Sequence, residues 1–421
     1  MNIEPINAIT LLIQVIFSLV LLSYFFLILY PEKREKKKKR FSSITVIVPV
    51  HNEEKYIAGC INSIKEAEFN GKKKIIVVND GSTDKSSEII NSMKKDIDII
   101  INMPHKGKAN AINKALEKTD TELFAVVDGD SVIKKDALQK VSDELGKKNV
   151  AAATTVVKVK NTNKIVCLWL HLEQLYNSLI REIQTKINAN ITTPGPLSVY
   201  RTETVKKLGG FSKKGYAEDV DIAVRIIRDK KKIGFVSNTY VYTNMPYTPK
   251  EFSRQRLRFC QGVINIISRH LRLNTMAIDI YTFPILLFSY FQAVIMGSIM
   301  SYKIIHDYIV YFIDKGIIFN IHSLVFLVEW FSAIGFFHWV IKIIRGSEPL
   351  TVIAFLSIIS TLMTFPLFFI AIIKYDKKIT LKHIFALVFM NAFWFVVMMF
   401  QIVSFPEFFN KKRKNIWKKN E

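Results

Sequence analysis

An apolar run from about residue 6 to 30 stops against a wholly charged stretch, EKREKKKKR at 32–40. The run is long enough to cross a bilayer, and its positive charge follows rather than precedes it. This predicts an uncleaved anchor with its N-terminus outside and Lys33 onward in the cytoplasm. From Arg40 to about Asn274 short β-branched runs alternate with polar, helix-permissive stretches. ITVIVPV (44–50), KKIIVVN (73–79), IDIII (97–101) and LFAVV (123–127) read as buried parallel strands separated by helices. A strand-like AAATTVVKV (151–159), an amphipathic helix near 165–185 and a Pro/Gly-rich turn, TTPGPLSVYR (192–201), come next. Two helices follow, carrying AEDVDIAVRIIRD (217–229) and RQRLRFCQG (254–262). After Asn274 the chain is apolar again, with candidate spans at about 279–302, 317–342, 349–373 and 383–404. The pattern divides the chain into an anchor and basic linker (1–40), a cytoplasmic domain with interfacial helices (41–274), and a membrane bundle with a basic tail (275–421).

Counting the anchor gives five spans and a multi-pass protein of the plasma membrane, with the terminal KKRKNIWKK (411–419) in the cytoplasm. The same count leaves KYDKKITLK (374–382) outside, against the positive-inside tendency, and a re-entrant or interfacial segment within 303–342 would alter the count. The chain has 421 residues, half of them hydrophobic, and a formal charge of +23. Much of that excess sits in the two runs beside apolar segments, which points to membrane lipid as the partner and away from nucleic acid. Cys60, Cys167 and Cys260 lie far apart without metal-ligand spacing, so they read as reduced packing residues.

An open α/β sheet places its ligand crevice at the carboxyl ends of its strands. There the sequence sets HNEE (51–54), DGSTD (80–84) and DGDS (128–131). Asp128 and Asp130 flank one glycine, so a tight turn could bring two hard oxygen donors together for Mg2+ or Mn2+; the same residues also suit an ordinary strand-ending turn. Asp84 reads as a helix cap, whereas Asp80 at the strand end suits a ligand. Lys106 and Lys108 beside a glycine would favour phosphate oxygens, or form a solvated turn. Glu218 and Asp219 sit at a predicted helix start, as capping acids or with one of them as a general base. Gly195, between Pro194 and Pro196, gives a stiff turn that lines a pocket or simply a loop.

In their order, VPVHNEE, NDGSTD, GKANAIN, DGDS, PGPLSVYR, AED and QRLRF resemble the membrane-embedded family 2 glycosyltransferases. That group contains the poly-N-acetylglucosamine, hyaluronan, chitin and cellulose synthases. The resemblance covers about residues 44–265 by motif and implies an α/β domain of the glycosyltransferase A type, with a Rossmann-like mixed sheet, plus a helical transmembrane bundle. It further implies a UDP-sugar donor, with Pro49, His51, Asn52, Glu53, Asp80 and Lys108 around the nucleotide-sugar. Asp128 would contact the nucleotide, and Asp130 with Asp128 the divalent metal. Asp219 would be the general base, supported by Glu218. Gly195, Pro196, Gln255, Arg256, Arg258 and Phe259 would border the diphosphate and acceptor.

By the same resemblance the reaction inverts an α-linked donor to a β-linkage on a polysaccharide or lipid-linked acceptor. A small membrane partner subunit is compatible with it. Two departures stand out: Phe259 replaces the Trp usual after the arginine, losing an indole N–H, and Ala217 replaces the Thr usual before the acidic pair. The arginines at 254, 256 and 258 also suit a basic interfacial helix resting on lipid headgroups. In the predicted span at 317–342, His322 and Glu329 are seven residues apart on one face, lining a sugar path or fixing bundle packing.

Overall fold

A computed structural model of the chain describes residues 5–31, 39–313, 316 and 319–409. Most of the first basic run (32–38) and all of the second (411–419) lie outside the described residues. After the apolar helix α1 (Pro5–Leu29) come β1 (Ser43–Val50), α2 (Ile57–Glu66), β2 (Lys72–Asp80), α3 (Ser86–Ser92), β3 (Ile99–Met103), α4 (Lys108–Glu117) and β4 (Leu123–Val126). Then follow β5 (Val132–Ile133), α5 (Ala137–Glu144), β6 (Val150–Val159), α6 (Ile165–Thr185), β7 (Ser198–Arg201) and α7 (Thr202–Lys207). The α/β part closes with α8 (Glu218–Arg228), β8 (Lys232–Thr243) and α9 (Pro249–His270).

The strands form one mixed sheet in the order β3-β2-β1-β4-β7-β6-β8-β5. The first four are parallel; β7 runs antiparallel to both β4 and β6, while β6 and β8 are parallel. Because β1 is buried on both faces, its sequence is a continuous β-branched run rather than an alternating one. Val46, Val48 and Val50 pack toward α2, α3 and α5, and Ile47 packs toward α4 and α8. Pro49 is tolerated in this central strand for a local reason. The carbonyl of Ile47 accepts from Val127 N at 3.0 Å, and Pro49 faces the same side after β4 has left the ladder, where its missing N–H costs no bond.

α10 (Phe283–Tyr308), α11 (Ile321–Phe331), α12 (Ala333–Ile344), α13 (Val352–Tyr375), α14 (Leu381–Val388) and α15 (Met390–Ser404) form the helical part. Ile6–Leu29, Ile278–Ile313, Val352–Tyr375 and Met390–Phe408 are long and apolar enough to cross a membrane. α11 and α12 meet at 88° and add a fifth span only if counted as one. The candidate span at 317–342, where a re-entrant segment is the alternative, is this bent pair. Ser332, in extended conformation, breaks it and caps α12 through Ile334 N at 3.2 Å. At about 1.5 Å per residue each arm is far shorter than the ~30 Å hydrocarbon core. Glu329 and His322 do share a face of α11, seven residues apart, and Glu329 also pairs with His338 across the break at 2.6 Å. The span expected at 383–404 likewise splits at Phe389.

The loop after α13 corrects the expected topology. Lys158 of β6 donates to the carbonyl of Tyr375 at 2.7 Å and pairs with Asp376 at 2.8 Å, so KYDKKITLK lies on the sheet's side of the molecule. The end of α1 is there too, where Lys186 donates to the carbonyls of Leu27, Ile28 and Tyr30 at 2.8, 3.0 and 2.8 Å. A bent pair that leaves by the face it entered changes no side, which keeps the basic loop on the side of the sheet.

Candidate active site

The crevice lies at the carboxyl ends of β1, β2 and β4. Asp80, buried at the end of β2, accepts from the amides of Lys106 and Gly107 at 2.8 Å each and from His105 Nδ1 at 2.9 Å. Gly107 has φ +92, a conformation that favours glycine. This clamp fixes the loop before α4 and sends Lys108, the first residue of that helix, into the crevice. His51 stacks on His105 with ring centroids 3.9 Å apart, and its Nδ1 lies 2.8 Å from the carbonyl of Asp80. Asn52, at φ +55, accepts from Thr83 N at 2.8 Å, and the Glu53 amide donates to Ser86 Oγ at 2.8 Å. Expected beside the nucleotide-sugar, Asp80 is here the residue that holds this loop.

Lys108 pairs with Asp128 and lies 3.8 Å from Glu218. Burial alone would depress its pKa, but Asp128, Glu218 and Asp219 around it push it up, so it remains an ammonium. Glu218 and Asp219 open α8, and Thr193 donates to the Asp219 carbonyl at 2.7 Å, tying that helix start to the PGP turn. Burial, then the negative charge of Glu218, raises the Asp219 carboxyl to about 6, with Lys108 opposing. Gly195 is required at this point: its carbonyl accepts from Asp128 N at 3.1 Å, and a Cβ would run into the Lys108 ammonium and the Asp128 carboxylate. Pro196 is half-buried in the same turn.

Asp130 sits one residue past Gly129, whose own Cβ would press on the Glu53 side chain at 3.2 Å. Its Oδ1 lies within hydrogen-bonding distance of Ser131 Oγ (3.2 Å) and Thr243 Oγ1 (3.4 Å), and its carbonyl accepts from Asn244 Nδ2 at 2.9 Å. Thr243 and Asn244, at the end of β8, were not among the expected residues, since nothing in their spacing links them to Asp130. The carboxylate of Asp130 with the hydroxyls beside it, and that of Asp128, which here pairs with Lys108, are hard oxygen donors of the kind that suits Mg2+ or Mn2+.

α9 reaches the crevice from the Asp130 side. Gln255 Nε2 lies 3.6 Å from Met245 Sδ, next to Asn244, while its buried Oε1 has no partner among the described residues. Arg258 stacks at 5.7 Å on Phe259, which is 42% exposed. Farther along, Gly262 packs on Ala217, just before the acidic pair. Arg256 departs from expectation. It is buried away from the crevice, bidentate to Glu173 of α6, with its guanidinium 5.3 Å from the ring of Phe252 and 5.2 Å from that of Phe393. The helical repeat turns this residue about 100° from Gln255 and about 160° from Arg258, toward α6, where a charge is held only by its pair.

The sequence profile of glycosyl transferase family 2 matches residues 45–209. The probable glycosyltransferase YdaM of Bacillus subtilis is 27% identical over 273 residues, 61% of this chain and 64% of that protein, so the chain spans less than two thirds of its length. A poly-beta-1,6-N-acetyl-D-glucosamine synthase of Staphylococcus epidermidis is 24% identical over 381 residues, 88% of this chain and 84% of its own. The solved structure of the mannosyltransferase PcManGT from Pyrobaculum calidifontis, in complex with GDP-Man and Mn2+, has a TM-score of 0.61 at 17% identity, covering 97% of this chain and 100% of that one. At that identity the likeness speaks for the fold alone.

Proposed function

On the premise that residues 45–209 form a family 2 glycosyl transferase domain, in a sheet of the glycosyltransferase A type beside membrane helices, we propose a polysaccharide synthase. It transfers N-acetylglucosamine from a UDP-sugar to a growing β-linked chain and extrudes that chain through the bundle, with the catalytic domain cytoplasmic. The long alignment with a poly-beta-1,6-N-acetyl-D-glucosamine synthase supports the sugar. The observation that carries the chemistry is the cluster of Asp219, Glu218, Lys108 and Asp128 under Gly195.

Pro49, His51, Asn52, Glu53 and Asp80 shape the nucleotide end of the crevice, and Lys108 and Asp128 its phosphate end. An acceptor hydroxyl gives its proton to the Asp219 carboxylate as its oxygen bonds to the anomeric carbon. The bond from that carbon to the diphosphate breaks on the opposite face, the electron pair leaves with UDP, and the configuration inverts. With its carboxyl near 6, Asp219 is both mostly ionised at neutral pH and basic enough to take the proton. Lys108 stabilises charge that grows on the diphosphate in the transition state, which lowers the barrier more than uniform binding would. Bound Mg2+ or Mn2+, held by Asp130 and Asp128, would supply further charge neutralisation there. Gln255, Arg258 and Phe259 border the acceptor.

Exposed Phe259, in place of an indole, favours a second reading: transfer of one sugar to a lipid acceptor. Membranes carrying the protein, incubated with labelled UDP-sugars and GDP-mannose with and without a chelator, separate the readings once products are sized and digested. The proposal expects a chelator-sensitive N-acetylglucosamine polymer from UDP-N-acetylglucosamine. A single-sugar lipid and no polymer overturns the synthase, and labelling from GDP-mannose alone overturns the donor.

A further inference from the structure

Away from the crevice, a cavity of about 530 Å³ opens between the end of β6, the start of α6 and the loop joining α13 to α14. Lys158, Lys160, His171, Asp376, Lys382 and His383 are among its lining residues. Its floor is already satisfied. The Asp376 carboxylate pairs with Lys158 at 2.8 Å, receives His171 Nε2 at 2.6 Å and has His383 Nε2 at 3.5 Å. Burial would raise this carboxyl, but His171 and Lys158 hold it down at about 2, so it stays charged and engaged.

His171, Asp376 and His383 bring ligand atoms within 4.8 Å of one another, as a metal site would. The hydrogen bonds oppose that use. His171 Nδ1 accepts from Val159 N at 3.1 Å and His383 Nδ1 from Thr380 N at 3.3 Å, so in both rings the proton sits on Nε2, the atom a metal would need. The Lys158 ammonium already occupies the cation position. What remains unsatisfied is positive: Lys160 and Lys382 are exposed at the rim, and no carboxylate pairs with either among the described residues. The position is the level at which α13, a membrane-crossing helix, ends and α14 begins. Along α14 and the loop, Ile379, Leu381, Ile384 and Phe385 are exposed, Leu381 by 84%. A basic rim over a neutralised floor, with an apolar flank at the depth where headgroups lie, matches a phosphate carrying acyl chains rather than a soluble anion.

We propose that this cavity receives the phosphate of an anionic phospholipid headgroup between Lys160 and Lys382, with its acyl chains along the exposed face of α14. The site anchors the loop that joins the bundle to β6 and α6.

Native mass spectrometry of the full-length protein in neutral detergent tests this, with phosphatidylglycerol, phosphatidylcholine and inorganic phosphate as probes. Phosphatidylglycerol is expected to be retained in preference to phosphatidylcholine. The Lys160→Gln/Lys382→Gln variant should bind it about thirtyfold more weakly, from roughly fivefold for each lysine near a membrane surface. Lys160→Arg/Lys382→Arg should keep most of the binding, and Lys94→Gln/Lys95→Gln, the same charge change on a distant turn, should keep all of it. Equal retention of the two lipids overturns the proposal, as does undiminished binding by the Gln variant. Equal loss in the Arg variant would show that charge is not what is read, which also overturns it. Inorganic phosphate binding as tightly as phosphatidylglycerol assigns the site to a soluble anion and ends the lipid reading.

Discussion

Replacing Asp219 by Asn should stabilise the protein at neutral pH while abolishing sugar transfer. Burial is the main reason that the carboxyl is displaced from 3.8 to about 6, with Glu218 adding repulsion and Lys108 opposing it. A carboxyl whose folded pKa exceeds its unfolded one takes up a proton on folding between those values. Stability therefore falls as pH rises from 3.8 to about 6 and stays lower above it. A gap of roughly two units at about 1.4 kcal/mol each makes about 3 kcal/mol the upper limit of this destabilisation. Part of the residue reaches solvent, which reduces the figure. The amide carries no charge to desolvate and escapes the penalty. For domains of about 150–250 residues, each kcal/mol moves Tm by roughly 2–4 °C, so a gain of several degrees is expected. Thermal unfolding of purified wild type and Asp219→Asn at neutral pH and at about pH 4 measures it. The advantage of the variant should shrink toward zero at the lower pH. A variant less stable than wild type at neutral pH, or one whose advantage is the same at both, would refute the account of Asp219 as an ionised group held at a cost.

Three other substitutions probe the surroundings. Arg256→Met strands the Glu173 carboxylate and should cost about 3–5 kcal/mol, while adding Glu173→Leu should recover most of it; unfolding midpoints of the single and double variants decide. Gly195→Ala drives a methyl group into Lys108 and Asp128 and should lose transfer with the unfolding midpoint near that of wild type, so retained transfer contradicts the packing of that turn. Phe259→Trp should lengthen the product if this residue grips the acceptor, and unchanged product sizes would remove it from that role.

How legible these features were depended on how local their causes are. β1, β2 and β4 announce themselves because a strand buried on both faces reads as a continuous apolar run, and the end of such a run marks the crevice. The start of α8 at the Glu-Asp pair was legible for a similar reason, since acidic residues suit the first turn of a helix. Arg256 was not: its partner Glu173 lies 83 residues away, and in a basic helix nothing local separates an arginine that faces a crevice from one that faces a core. Asn244 and Thr243 support Asp130 from 114 and 113 residues away. His171 and Asp376, 205 apart, meet only because α13 ends beside α6. The bend between α11 and α12 was hidden because an apolar run without periodicity does not reveal where it turns. Counting that run as one crossing, rather than as the re-entrant alternative, put the 374–382 loop on the side away from the sheet.

The central claim is that Asp219 takes the acceptor's proton in a crevice that holds a UDP-sugar independently of it. UDP binding and sugar transfer measured side by side on wild type and Asp219→Asn test it most directly. The account predicts UDP affinity close to that of wild type and no transfer above background. Transfer at the wild-type rate with UDP bound would contradict it.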